Sequence, residues 1–141
     1  PTPNAEPART LEVNDGDSTP QMHQSITPYF TVVDGDRLID FLVAAFDACV
    51  VMISRHDDNS IQHARLRIGN SMIMLNERSN DYPAQTSQMH LYVDDTNAVY
   101  EQALALGAVS LMAPNVRPHG DRMAGIKDPC GNVWWIATHR S

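Results

Sequence analysis

Sliding the chain past itself by sixty residues superposes Val33 on Val93, Asp34 on Asp94, Ala45 on Ala105, Ala48 on Ala108 and Met52 on Met112. The order of structural signals around both sets is the same, so a duplicated module is the strongest constraint on the fold. In the first copy Thr27 to Val33 reads as a strand, and Asp34-Gly35-Asp36 breaks it and offers a carboxylate cap. Arg37 to Ala48 then places Leu38, Phe41, Leu42, Ala45 and Phe46 on one helical face. Strands follow at Val50–Ser54, Ile61–Ile68 and Ser71–Asn76, separated by Asp57-Asp58-Asn59 and Gly69-Asn70. The second copy runs from a strand at Gln88–Val93 through the cap Asp94-Asp95-Thr96 to a helix at Asn97–Leu106, stopped by Gly107. Its strands lie near Val109–Met112, Arg122–Lys127 and Asn132–Thr138. The expectation is an α+β fold of two βαβββ modules, about 26–80 and 86–139. A helix on one face of each sheet leaves the opposite faces curved toward a shared cleft, where a small ligand would bind.

The remaining composition narrows the partners. A net charge of −7 disfavours nucleic acid and anionic membrane surfaces. No apolar run approaches the ~20 residues of a membrane span, and no signal-peptide pattern opens the sequence. Cys49 and Cys130 are too few for a disulfide scaffold, which points to a reducing, cytoplasmic location. Residues 1–25 hold Pro1, Pro3, Pro7 and Pro20 and almost no large apolar side chains, so they read as a flexible arm that includes His23. Asn76 to Asp81 reads as a mobile loop between the modules.

The segment KDPCGNVWWIATH, Lys127 to His139, is a tight turn feeding a strand. Asp, Pro and Gly take the first, second and fourth turn positions. Val133-Trp134-Trp135-Ile136 then sends adjacent indoles to opposite sheet faces. Cys130 sits in the turn with no base beside it, which argues against a nucleophile.

The runs ITPYFTVVDGDRLIDFLVAAFDA, HARLRIGNSMIML, HLYVDDTNAVYEQALALGA and HGDRMAGIKDPCGNVWWIATH resemble the vicinal oxygen chelate superfamily, which includes glyoxalase I, bleomycin-resistance proteins and extradiol dioxygenases. The chain is most similar to the PhnB-like branch. The resemblance covers Ile26 to about His139, and its most specific pieces are V-D-D and D-P-x-G-N. It implies a cleft that often holds a divalent metal on His, Gln or Glu, and a fold that often pairs as a homodimer. Carried over residue by residue, the metal positions fall on Thr27, Gln88 and Trp135, with Met74 nearest the fourth. Thr ligates poorly, Gln tolerably and Trp not at all.

The position equivalent to Trp135 faces the cleft, so Trp135 points in and Trp134 packs under a helix. By the same parity Gln88, His90 and Tyr92 face the cleft. His90 reads as a hydrogen-bonded core imidazole, as a ligand-orienting or acid/base group, or as a metal ligand beside Gln88. His63, Arg65 and Arg67 share a face that looks either into the cleft or to solvent. For the arginines solvent or an ion pair is expected. Tyr29 and Met74 are expected pocket walls, each with a plain core role as the alternative. Arg122 either clamps an anionic group or is held by a neighbouring acid.

Two functions compete. The first is a metal-free protein, without cofactor, that binds a small planar or aromatic molecule through Tyr29, His63, Met74, His90, Tyr92, Arg122 and Trp135. The acidic charge favours a cationic ligand, and Arg122 in the site would oppose it. The alternative is a metal-dependent lyase, isomerase or dioxygenase with an atypical site on Gln88 and His90, holding zinc, nickel, manganese or iron. A metal-free enzyme using His90 as general base is a third reading.

Overall fold

A computed structural model describes residues 24–140. Most of the expected N-terminal arm, with His23, lies outside the described residues. Gln24 is docked: its side-chain amide donates to Met72 O at 2.8 Å and accepts from Met72 N at 3.3 Å. No helix of the described residues is long and apolar enough to cross a membrane.

Two four-stranded sheets form, as the duplication predicts. The first contains β1 (Tyr29–Val32), β2 (Cys49–Arg55), β3 (Ile61–Ile68) and β4 (Ser71–Glu77), with helix α1 (Gly35–Phe46) following β1. The second contains β5 (Gln88–Tyr92), β6 (Val109–Val116), β7 (Arg122–Lys127) and β8 (Val133–Thr138), with α2 (Thr96–Ala105) following β5. Strand orders are β1-β4-β3-β2 and β5-β8-β7-β6. In both, the first strand pairs in parallel with the last, and the others pair antiparallel. The described chain separates into two compact units, 24–36 with 47–85 and 37–46 with 86–140. The helical residues 37–46 therefore group with the second sheet, where Phe46 packs its ring 4.9 Å from that of Trp134.

Side-chain alternation builds the core of each sheet. Phe30, Val32, Ala64, Leu66, Ile73 and Leu75 are buried on one face of the first sheet. Trp134, Ile136, Ala124 and Ile126 are buried on one face of the second, and α2 packs against β6, β7 and β8. The pairings also correct the offset of the repeat. Tyr29 pairs with Met74, and its counterpart pair is His90 with Trp135, sixty-one residues on. Arg65 opposite Met52 corresponds to Gly125 opposite Met112, at sixty. The second copy has one residue fewer between its first two strands and one more in its last hairpin, where Asp128-Pro129-Cys130-Gly131 replaces the tighter Gly69-Asn70. A one-residue slip reverses which face each side chain occupies, so the offset of sixty would set Tyr29 against Met89, on opposite faces.

Two local expectations change. β6 runs on to Val116 rather than stopping at Met112. It lies at the sheet edge and carries irregularities between Ser110 and Asn115, which is where a strand tolerates Pro114. The first helix also draws a carboxylate from outside its own segment. Asp34 adopts a left-handed backbone (φ +72), and its N–H donates to Glu77 Oε2 at 2.8 Å while the Gly35 N–H donates to Glu77 Oε1 at 2.7 Å. Parallel pairing brings the end of β4 beside the start of α1, so the carboxylate arrives from 42 residues beyond Gly35. β4 extends one residue beyond the expected Asn76, to Glu77, which was expected in a loop. In α2 the expected local cap is present, with Asp95 accepting from the Ala98 N–H at 3.1 Å.

Candidate functional site

The turn before β8 sets the two indoles. Asp128 is buried and its Oδ1 accepts from the Cys130 and Asn132 N–H groups at 2.8 and 3.0 Å. Its Oδ2 accepts from Trp134 Nε1 at 2.8 Å. One carboxylate thus closes the turn and satisfies the buried tryptophan, which is 2% exposed. Trp135 then falls on the opposite face, half-buried. Its register partners there are His90 on β5 and Gly125 on β7.

The Trp135 ring lies flat across Gly125. A Cβ at that glycine would stand 2.5 Å from Cζ3 and 2.8 Å from Cε3 of the indole, which no side chain could share. At the other end, Trp135 Nε1 donates to Gln88 Oε1 at 2.9 Å. Beside this plate His90 and Tyr92 meet edge to face with centroids 4.7 Å apart, and Tyr92 is 61% exposed. Gln88, His90, Tyr92 and Trp135 are therefore brought together on one face of the second sheet.

In the first unit, Tyr29, His63 and Met74 share a face. The Tyr29 hydroxyl lies 3.1 Å from His63 Nδ1, and burial of the phenol raises its pKa. Met74 stands between Tyr29 and Arg65 in register. Arg65, expected in solvent or an ion pair, is only 4% exposed.

Arg122 is placed differently from its expected role as a clamp in the ligand site. It pairs with Thr138, on the face opposite Trp135, and its Nε donates to Asn97 Oδ1 at 2.7 Å. Alternation from Gly125 fixes this side: positions 123 and 125 share the indole face, and 122 and 124 the other.

The donors on the indole face do not fit the divalent metal that the resemblance implies. The single oxygen Gln88 could offer already accepts from an indole. Lys127 follows on the same face, two residues beyond Gly125, and would repel a cation. Among the described residues no three His, Cys, Asp or Glu side chains converge to hold an ion.

A feature the sequence did not suggest lies where β5 and β8 end. Tyr92, Val93, Asp94, Thr138 and His139 line an open pocket of about 270 Å³. Behind it Asp121, 4% exposed, accepts from His139 Nδ1 at 3.2 Å and from the Arg140 N–H at 3.3 Å. His119 Nε2 lies 3.6 Å from its second oxygen. Burial alone would raise the Asp121 carboxyl, but the Arg140 N–H and the charges of His139 and His119 outweigh it and hold the carboxyl below its ordinary value.

A family model described as the glyoxalase/bleomycin resistance protein/dioxygenase superfamily matches residues 25–136. A sequence relative, an uncharacterised protein of Mycobacterium tuberculosis strain H37Rv, is 32% identical over 124 residues, covering 78% of this chain and 71% of the relative. Among solved structures, TioX from Micromonospora sp. ML1 superposes with a TM-score of 0.69 at 23% identity, covering 84% of this chain and 98% of TioX. A PhnB protein from Bacillus cereus, described as a putative 3-demethylubiquinone-9 3-methyltransferase, gives 0.68 at 19% identity, covering 82% and 100%. At these identities the two structures share the fold with this chain.

Proposed function

The chain belongs to the glyoxalase/bleomycin resistance protein/dioxygenase superfamily, and from that premise we propose that it binds a small planar or aromatic molecule without a metal, on the indole face of its second sheet. The observation that carries this reading is the plate itself: Trp135 seated on Gly125 and latched to Gln88. A preorganised ring loses little freedom when a ligand stacks on it. One aromatic stack is worth about 0.5–1.5 kcal/mol beyond area burial, so Trp135 alone would give at most roughly tenfold in affinity. His90 and Tyr92, standing beside the plate, supply the remaining contact and the polar selection. Tyr29, His63 and Met74 are candidates for a ligand wall on the first sheet by itself. Arg122 is held by Asn97, and Lys127 on the indole face favours a neutral aromatic ligand over a cationic one. A homodimer and a cytoplasmic location belong to this reading and rest on the resemblance and on composition.

The test is a screen of planar aromatic compounds by tryptophan fluorescence quenching. A saturable response that is lost in Trp135→Ala is expected. The metal-dependent alternative predicts a stoichiometric metal, or a melting rise with Mn²⁺, Ni²⁺, Zn²⁺ or Fe²⁺ that vanishes in Gln88→Ala and His90→Ala. Either result would replace the binding reading with the enzyme one.

A further inference from the structure

The pocket at the ends of β5 and β8 is separate from the indole plate, although Tyr92 borders both. Its lining holds one carboxylate, one phenol ring and one imidazole, and no lysine or arginine. Asp95, next in sequence to Asp94, already caps α2 through the Ala98 N–H. Thr138 Oγ1 is 2.7 Å from Thr96 Oγ1 and accepts from the Thr96 N–H at 3.0 Å. Those groups are spent on holding the helix to the sheet. The Asp94 carboxylate and the Tyr92 hydroxyl, by contrast, have no partner among the described residues. His139 is fixed by the buried Asp121, and its ring stands nearly perpendicular to that of Tyr92, with centroids 6.3 Å apart at 85°.

The chemistry of such a lining is selective. A carboxylate beside an exposed aromatic ring attracts a cation from two directions, by charge and by the ring quadrupole. A hard metal ion would need several oxygen ligands, and only one carboxylate is present. An anion would meet Asp94 with no opposing base. The volume, about 270 Å³, is just below the usual range of about 300–1,000 Å³ for ligand pockets, which suits a small guest. We propose that this pocket binds a small organic ammonium group, with Asp94 as counter-ion, Tyr92 as the aromatic wall and His139, positioned by Asp121, closing the far side.

The pocket shares Tyr92 with the indole plate but not Trp135, so its failure is readable separately. The probe is n-propylammonium chloride at pH 7.5, titrated into isotopically labelled full-length protein and followed by amide and indole NMR shifts. The blanks are n-propanol and sodium chloride at matched concentrations. Saturable shifts at Tyr92, Val93, Asp94 and His139, with the Trp135 indole N–H unmoved, are expected from the amine alone. Asp94→Asn should weaken binding at least fivefold. The Asp94 carboxylate makes no hydrogen bond among the described residues, so this variant should keep the native spectrum. Equal shifts from n-propanol or sodium chloride, no loss in Asp94→Asn, or absence of saturation would each overturn the proposal. Shifts centred on the Trp135 indole would assign the amine to the plate instead and likewise overturn it.

Discussion

Trp135 and Gln88 hold each other: the indole N–H donates to the amide oxygen at 2.9 Å across the parallel pair β5–β8. The family resemblance assigns metal ligands to these two positions. Here the contact between them is a hydrogen bond, and the face they share is a flat apolar ring. The two positions are thus tied to each other by side-chain hydrogen bonding across the strand pair.

Gly125 is the seat of that surface. In Gly125→Ala the new methyl collides with Cζ3 and Cε3 of the indole, so the ring must lift from the sheet. A loss of about 1–3 kcal/mol is expected from this overpacking, together with a change in the near-ultraviolet dichroism of Trp135. Urea unfolding and dichroism measured on the same sample check both. Native stability with an unchanged spectrum would mean that the ring does not rest on Gly125.

Asp128 anchors the turn and the second indole together. In Asp128→Ala the Cys130 and Asn132 N–H groups and Trp134 Nε1 lose their common acceptor. A buried donor left unsatisfied costs about 1–3 kcal/mol, so a total near 3 kcal/mol or more is expected as a lower urea midpoint. A loss under about 1 kcal/mol would show that water replaces the carboxylate.

Asp121 makes stability depend on pH in the acid range. Its carboxyl is held below the ordinary value by the Arg140 N–H and the flanking imidazoles, against burial. A carboxyl with a depressed folded pKa binds fewer protons in the folded state. Its contribution is complete above the unfolded pKa, near 4, and is lost as the pH falls through the lower folded value. Wild type should therefore melt above Asp121→Asn at pH 5, and the gap should close as the pH falls toward 3. A gap that widens on acidification would contradict the assignment.

Much of the fold was legible because each element carried its own local signal. Alternation, two helical periodicities, turn residues and the duplication gave the two four-stranded sheets. They also gave the split of Trp134 and Trp135 between faces, since strand parity needs no distant information. The offset of sixty holds for Met52 with Met112 but becomes sixty-one at the first and last strands, because identities such as Val33 with Val93 align chain segments and not strand pairings. The helix cap from Glu77 was hidden for the same reason. Its partner is brought close only by parallel pairing of β1 with β4.

The sequence by itself determined the periodicities, the turns, the acidic charge and the family, all of which depend on neighbours a few residues apart or on a pattern summed along the chain. Only the tertiary structure decided that Gln88 meets Trp135, that Gly125 lies beneath the indole, that Arg122 turns to Asn97 and that Asp121 gathers two histidines. Apart from His119, which lies two residues from Asp121 in the same loop, each of those contacts joins residues from different strands, loops or helices. Their geometry is set by strand register, which no single segment carries.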